Sequence, residues 1–300
     1  MIYKEWMKYI KDDVKLTEVI MPGTHNAGSY GMNALGCCQD GTFYSQFAHG
    51  VRHFCIRYCG DKKKGVVLSH GLAKGAPLAE GFESMRRMIE ENDSEFFIFD
   101  MREYYNQKIG PFSFSYPTDD AEVTKLIEEY LAPEKYAYTD FEHVSDITFG
   151  DIRKSGKRYL IVNYRNAYQP WCKEVEHILP WSAELHAKKP EVFAAEVLMH
   201  FNNEQTNGIY WFQTQLTPNP GAKGGLKMPR TLEKALLPYY QSIIDAIAAN
   251  KFYLNSANVI SGDFMTWSYD KCREIIKLNL LKDTVKEEYR EKFEKELNEK

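Results

Sequence analysis

The chain lacks several features that would each have set its class at once. No run approaches the roughly 18–20 consecutive apolar residues of a membrane-spanning helix. Positive charge is not in excess: 38 Lys and Arg against 42 Asp and Glu leave a net charge of −4. No basic stripe is therefore available to neutralise nucleic-acid phosphates, and a nucleic-acid partner is not expected. The opening residues Met1-Ile2-Tyr3-Lys4-Glu5-Trp6 have no apolar core of the kind a secretory leader needs. That leaves a soluble cytoplasmic chain, or a secreted one whose leader has been removed. The six cysteines (Cys37, Cys38, Cys55, Cys59, Cys172, Cys272) include no Cys-x-x-Cys pair, so no zinc site is expected and reduced thiols are the simplest reading. No internal repeat or interdomain linker interrupts the 300 residues. One enzyme-sized domain over 1–300 is expected, with a charged helix at about 283–300 where Lys and Glu alternate at helical spacing. That tail reads as a solvated helix laced with ion pairs.

What is present is a series of short apolar runs that stop at polar or ionisable groups. Val19-Ile20-Met21 meets the turn Pro22-Gly23 and delivers Thr24-His25-Asn26. His53-Phe54-Cys55-Ile56 ends in Arg57, and Val66-Val67-Leu68-Ser69 ends in His70-Gly71. Glu95 to Asp100 leads to Met101-Arg102-Glu103, and Tyr159 to Asn163 leads to Tyr164-Arg165. Ile209 to Gln213 leads to Gln215, and Asn258 to Gly262 ends in Asp263. Strands that carry their chemistry at the C-terminal end are the construction of α/β barrels, where the βα loops converge on one face. The fold class expected is α/β, a (β/α)8 TIM barrel that is distorted or incompletely closed. Helical spacing of apolar residues marks 78–92, 119–131, 184–200 and 231–249. Lys62-Lys63-Lys64 reads as an exposed hairpin tip. Phe112-Ser113-Phe114-Ser115-Tyr116 reads as a Pro-bounded loop whose aromatic rings could enter a lipid interface.

The motifs Pro22-Gly23-Thr24-His25, Gly50-Val51-Arg52-His53-Phe54 with Ile56-Arg57, and Ser69-His70-Gly71 resemble the catalytic X domain of the phosphatidylinositol-specific phospholipase C family. Met101-Arg102-Glu103-Tyr104, Gly150-Asp151-Ile152-Arg153 leading to Arg165, and Gly262-Asp263-Phe264 continue the resemblance in family order over roughly 5–280. The small bacterial enzymes are the nearer type. The resemblance implies cleavage of phosphatidylinositol or a related inositol glycolipid, giving diacylglycerol and a cyclic inositol phosphate. A phospholipid at a membrane surface would be the partner, and contact with the membrane would be peripheral.

The same resemblance assigns roles. His25 is the base that takes the inositol 2-hydroxyl proton, and His70 is the acid that protonates the departing oxygen. Asp263 orients the base, and the guanidinium of Arg57 bridges phosphoryl oxygens. Arg165 falls where the bacterial enzymes contact inositol hydroxyls, and Trp181 is a candidate for stacking on the ring. In the calcium-dependent members an acidic metal ligand stands where Arg57 stands here, which implies no cofactor for this chain. Calcium is the alternative, with the oxygens of Asn26 and Glu103 as its two candidate ligands.

Two departures stand against full activity. The bacterial pattern has aspartate where this chain has Asn26, and again where it has Cys55. Strand alternation puts Cys55 on the face of Arg57, so the thiol lines the site. An amide or a neutral thiol cannot stabilise an imidazolium by charge. These departures motivate the alternative reading, a catalytically weakened or silent relative that binds an inositol lipid or a sugar phosphate. A glycerophosphodiester enzyme of the same barrel type would need an acidic metal cluster, and the Glu-x-Asp pair expected after the second strand is absent.

Overall fold

The computed structural model describes residues 2–104, 106–109, 111–162, 169–175, 177–178, 181–200, 207–218, 227–267 and 269–299. Its strands are β1 (Met21–Thr24), β2 (His53–Asp61), β3 (Gly65–His70), β4 (Ala73–Pro77), β5 (Phe97–Glu103), β6 (Asn106–Ile109), β7 (Phe112–Ser115), β8 (Tyr159–Val162), β9 (His177–Ile178), β10 (Ile209–Gln213) and β11 (Val259–Gly262). Its helices are α1 (Phe43–Ala48), α2 (Leu78–Glu91), α3 (Asp120–Leu131), α4 (Pro133–Tyr136), α5 (Phe149–Ser155), α6 (Ala183–His186), α7 (Pro190–Glu196), α8 (Pro229–Ala249), α9 (Lys251–Ser256), α10 (Tyr269–Leu281) and α11 (Arg290–Asn298).

Seven strands pair in parallel in the order β9-β10-β11-β1-β2-β5-β8. Among the described residues no ladder joins β8 to β9. The barrel is therefore incompletely closed, the distorted form of the expected fold. Alternation along the strands separates two apolar layers. Met21, Cys55, Ile98, Leu160, Trp211 and Val259 pack together with Trp6 and Met7 from the N-terminal turns. Ile20, Phe54, Ile56, Phe99, Phe212 and Ile260 face the other way and pack with Phe43, Phe82, Leu236 and Ile275 of the surrounding helices. Each such side chain, fully buried, contributes about 1.5–3 kcal/mol, so the two layers hold the sheet from both faces.

Strand β2 outruns its neighbours. His53 and Phe54 pair with Gly23 and Thr24 of β1, whereas Tyr58 to Asp61 pair antiparallel with Leu68 to Gly65 of β3. The tip between them is the expected lysine turn, closed by Asp61 Oδ1, which accepts from the backbone N–H of Lys63 (2.9 Å) and Lys64 (3.1 Å). The run Val66 to His70 is thus not a further barrel strand but the returning arm of a hairpin.

Other expectations are corrected in detail. The helix expected over 184–200 is broken, and Pro190 starts α7 at its first turn, where its missing N–H costs no hydrogen bond. Phe112 to Ser115 form strand β7, paired antiparallel with β6, rather than a loop, and Phe112 is exposed. The C-terminal helix is not solvated all round: Phe293 and Leu297 are fully buried, and the Phe293 ring meets Tyr9 at 5.5 Å. No helix among the described residues is long and apolar enough to cross a membrane.

Candidate active site

The four expected catalytic residues meet at the C-terminal ends of β1 and β11, the middle of β2 and the end of the returning arm β3. Close strand approach makes this possible. A Cβ added to Gly23 would lie 2.8 Å from Val259 Cγ1 and 3.0 Å from Ser261 Cβ, so β1 can nestle between β11 and β2 only without a side chain there. The ladder then continues one step past the strand, with the His25 N–H donating to the Gly262 carbonyl at 3.2 Å. Asn26 turns the chain in the left-handed region (φ 48°), which asparagine tolerates better than most residues.

His25 Nδ1 lies 2.8 Å from Asp263 Oδ1, and its Nε2 lies 3.4 Å from Arg57 Nη2. A guanidinium can only donate, so Nε2 is the acceptor and Nδ1 carries the proton that Asp263 receives. That is the tautomer a general base needs. Burial, and then the charge of Arg57, hold His25 well below the ordinary imidazole value. Burial also raises the Asp263 carboxyl, against the pull of His70 and Lys271.

The His70 ring stands 6.0 Å from that of His25, centroid to centroid and nearly perpendicular to it. Its Nδ1 lies 2.9 Å from the Gly36 carbonyl and donates to it, which leaves Nε2 for chemistry. Burial first, then the neighbouring His25 imidazole and the Arg57 guanidinium, push His70 down to about 4. Among the described residues no carboxylate is hydrogen-bonded to it. The Arg57 guanidinium lies 5.0 Å over the Tyr104 ring, and its Nε has no partner among the described residues.

The remaining candidates divide. Asn26 is in the site, with Nδ2 3.5 Å from His25 Nδ1 and Oδ1 buried without a partner among the described residues. Cys55 is fully buried in the barrel interior beneath Arg57, as its parity required. Glu103 is not brought there. It pairs in register with Tyr58, whose ring belongs to the outer layer, and its carboxylate accepts from Thr118 N (2.9 Å) and Oγ1 (2.7 Å). The oxygen pair Asn26 and Glu103 that calcium would need is therefore not assembled. Arg102 takes the inward position instead, paired with buried Asp100 at 2.9 Å and lying over the Trp211 ring at 4.9 Å. Trp181 stands half-exposed near the end of β10, 5.6 Å from the His186 ring. Arg165 lies outside the described residues.

Residues from non-local segments escaped the sequence reading. Gln39 Nε2 donates to the carbonyls of His25 (2.8 Å) and Gly262 (2.9 Å), and its Oε1 accepts from Met265 N (3.1 Å), tying the two catalytic turns together. Lys271, ion-paired with Glu233 at 2.5 Å, donates to the Asp263 carbonyl at 2.7 Å and so fixes the turn that carries the carboxylate. Nothing in the spacing of either residue pointed here. The structure puts the Cys38 thiol in the site, and the donor atoms of His25, Cys38 and Asp263 lie within 4.8 Å of one another. All six cysteines are buried.

No family model matches the chain. Over 147 residues, 47% of its length, it is 22% identical to the 1-phosphatidylinositol phosphodiesterase of Staphylococcus aureus strain Newman, covering 43% of that protein. The match to the protein of the same name from strain NCTC 8325 is also 22% identical and covers 41% of it. The chain thus spans less than half the length of these curated relatives within the matched segment. In three dimensions it matches the phosphatidylinositol-specific phospholipase C of Listeria monocytogenes with a TM-score of 0.65, over 92% of this chain and 98% of that one, at 18% identity. A phosphatidylinositol-specific phospholipase C of S. aureus gives a TM-score of 0.64 over 95% and 98% of the two chains, at 15% identity. The chain has the fold of the bacterial phosphatidylinositol-specific phospholipases C.

Proposed function

We propose that this protein is a phosphodiesterase of the phosphorus–oxygen lyase type acting on phosphatidylinositol or a related inositol glycolipid. The observation that carries the reading is the pair of imidazoles 6.0 Å apart, one held by Asp263 and both beside the Arg57 guanidinium. His25 Nε2 takes the proton of the inositol 2-hydroxyl. The resulting oxygen attacks phosphorus, Arg57 neutralises the charge that develops on the phosphoryl oxygens, and the bond to the diacylglycerol oxygen breaks. His70 Nε2 supplies the proton to that oxygen. The products are a cyclic inositol phosphate and diacylglycerol, and turnover needs no metal. Arg165 and Trp181 would hold the inositol ring, and the hairpin bearing Phe112 would rest in the lipid surface.

His70 sets the condition for this mechanism. Held at about 4 by burial and by its neighbours His25 and Arg57, it is neutral near pH 7 in the free site. The substrate's phosphodiester anion supplies the missing negative charge and raises it, so the acid is loaded as the substrate binds. The absence of a carboxylate on His70 also favours a second reading, a silent module that binds the headgroup without cleaving it. Phosphorus NMR of phosphatidylinositol vesicles incubated with the protein, with and without chelator, separates the two. A five-membered cyclic phosphodiester signal that chelator leaves unchanged is expected. Binding to the vesicles without any new phosphorus signal would establish the silent module.

A further inference from the structure

The acid–base reading has no use for Cys38, although the thiol lies at the centre of the site. Its Sγ is 3.6 Å from His70 Nδ1 and 3.7 Å from Asn26 Nδ2, and the residue is 1% exposed. The sulfur, a ring nitrogen of His25 and an Asp263 oxygen lie within 4.8 Å of one another, and Nδ1 is the nitrogen that faces Asp263 and Asn26. A second observation points the same way. Asn26 is 1% exposed, and its Oδ1 has no partner among the described residues. Its Nδ2 is the atom aimed at His25 Nδ1 (3.5 Å) and at the sulfur. A half-turn of the amide exchanges the two atoms and brings the orphaned oxygen to that point.

We infer that His25 Nδ1, Asn26 Oδ1, Cys38 Sγ and Asp263 Oδ1 form a four-coordinate site for a borderline-soft divalent cation of the zinc class. Zinc takes nitrogen, oxygen and thiolate donors at about 2.0–2.3 Å, which puts donors roughly 3.3–3.8 Å apart in a tetrahedron. The present spacings bracket that range, and the 2.8 Å contact between His25 and Asp263 must open by about 0.5 Å. A thiolate at the centre excludes calcium, which takes six to eight oxygens.

Binding rearranges two protons. The Cys38 thiol releases one to solvent as the sulfur–metal bond forms, and the proton on His25 Nδ1 transfers to Nε2 by way of solvent. Nε2–H then faces Arg57 Nη2, donor against donor, at a present distance of 3.4 Å. The guanidinium must swing away, so metal and the catalytic position of Arg57 exclude one another. The site is inhibitory: the cation occupies both the base and the carboxylate that orients it. Inhibition rests on the proposed phosphodiesterase reading, whereas binding does not.

The test titrates the full chain with Zn2+ by calorimetry and with Co2+ by absorption. The wild type is expected to bind one ion and to give a thiolate-to-cobalt charge-transfer band. Cys38→Ser should lose that band and at least about 100-fold in zinc affinity, since even partners that touch a metal only through its ligands are worth 10–100-fold. Cys38→Ala, which adds no polar group to a buried position, should behave alike. Arg57→Gln should bind zinc more tightly, because the opposing donor is gone. Failure of the wild type to bind, a band that survives in Cys38→Ser, or equal affinity in all variants overturns the inference. Cleavage assays run beside the titration keep the two readings apart. A chain that binds zinc through Cys38 but never cleaves phosphatidylinositol sinks the phosphodiesterase and leaves the metal site standing. Cleavage indifferent to zinc, with no cobalt band, does the reverse.

Discussion

Two arginines lie five residues apart around the start and middle of β2, in opposite surroundings. Arg52, at the barrel floor, is fully enclosed. Its Nε donates to Glu95 at 2.7 Å, its remaining N–H groups reach the carbonyls of Tyr3, Phe47 and Val51, and the rings of Trp6, Phe47 and Phe97 surround it. Arg57, at the mouth, is half-buried, meets one histidine nitrogen and one tyrosine face, and keeps Nε unpartnered among the described residues. A guanidinium whose donors are all used is a part of the fold. One held with donors to spare at a barrel mouth is available to an anion. The contrast separates what holds the molecule together from what it can do.

The sharpest way to break this contrast is at the mouth. His25→Ala and His70→Ala should each lower turnover about 10²–10⁴-fold while leaving the melting temperature close to wild type. Turnover within a factor of a few of wild type in either variant would end the two-imidazole mechanism. The floor should respond the other way. Arg52→Met leaves Glu95 charged and buried, which costs about 3–5 kcal/mol of stability in urea unfolding, with activity per folded molecule unchanged. A stable Arg52→Met that is inactive would mean the floor belongs to the chemistry.

Smaller effects sharpen the comparison. His70 must be protonated to act, and its value in the free site is pushed down to about 4. The rate constant kcat/KM should therefore be highest at acid pH and fall as pH rises above that value, because the protonated fraction is lost. His25, also pushed down, remains neutral over most of that window. Asn26→Asp adds a carboxylate among His25, Cys38, Arg57 and Asp263, and should move the falling limb up by about one unit. That shift is worth about tenfold in rate at neutral pH. An unmoved limb would show that Asn26 does not communicate with His70 across the intervening thiol. The smallest effect is expected at Glu103, whose carboxylate serves Thr118. Glu103→Gln should change KM by less than about twofold, since side chains outside the site rarely alter it more.

The four residues that meet at the mouth were legible as candidates because each follows or ends a short apolar run, and runs of that kind are readable one at a time. Strand parity gave the placement of Cys55 correctly. Parity also held the clue against Glu103, since Asp100 and Arg102 share the inward face and leave the next residue outside. What could not be read is whatever depends on packing between distant segments. Gln39 and Lys271 act on the site only because the 37–39 turn and α10 fold over β11. The direction of Val66 to His70 was equally hidden, because an apolar strand reads the same in either sense. The fold class came through with its incomplete closure, while the place of the missing pairing among the described residues, β8 against β9, left no mark in composition or spacing.

That direction has a mechanical consequence. His25 and Asp263 are rooted in the parallel ladder, but His70 hangs at the end of a lever whose fulcrum is the pairing of Tyr58 with Leu68. Shortening the 62–64 tip by two residues preserves which side chains face inward. A slip of the Asp61–Gly65 pair by one residue turns the side chains of the returning arm, the imidazole included, to the opposite side. The tip, remote from any reacting atom, thereby acts as a counting device for the proton donor.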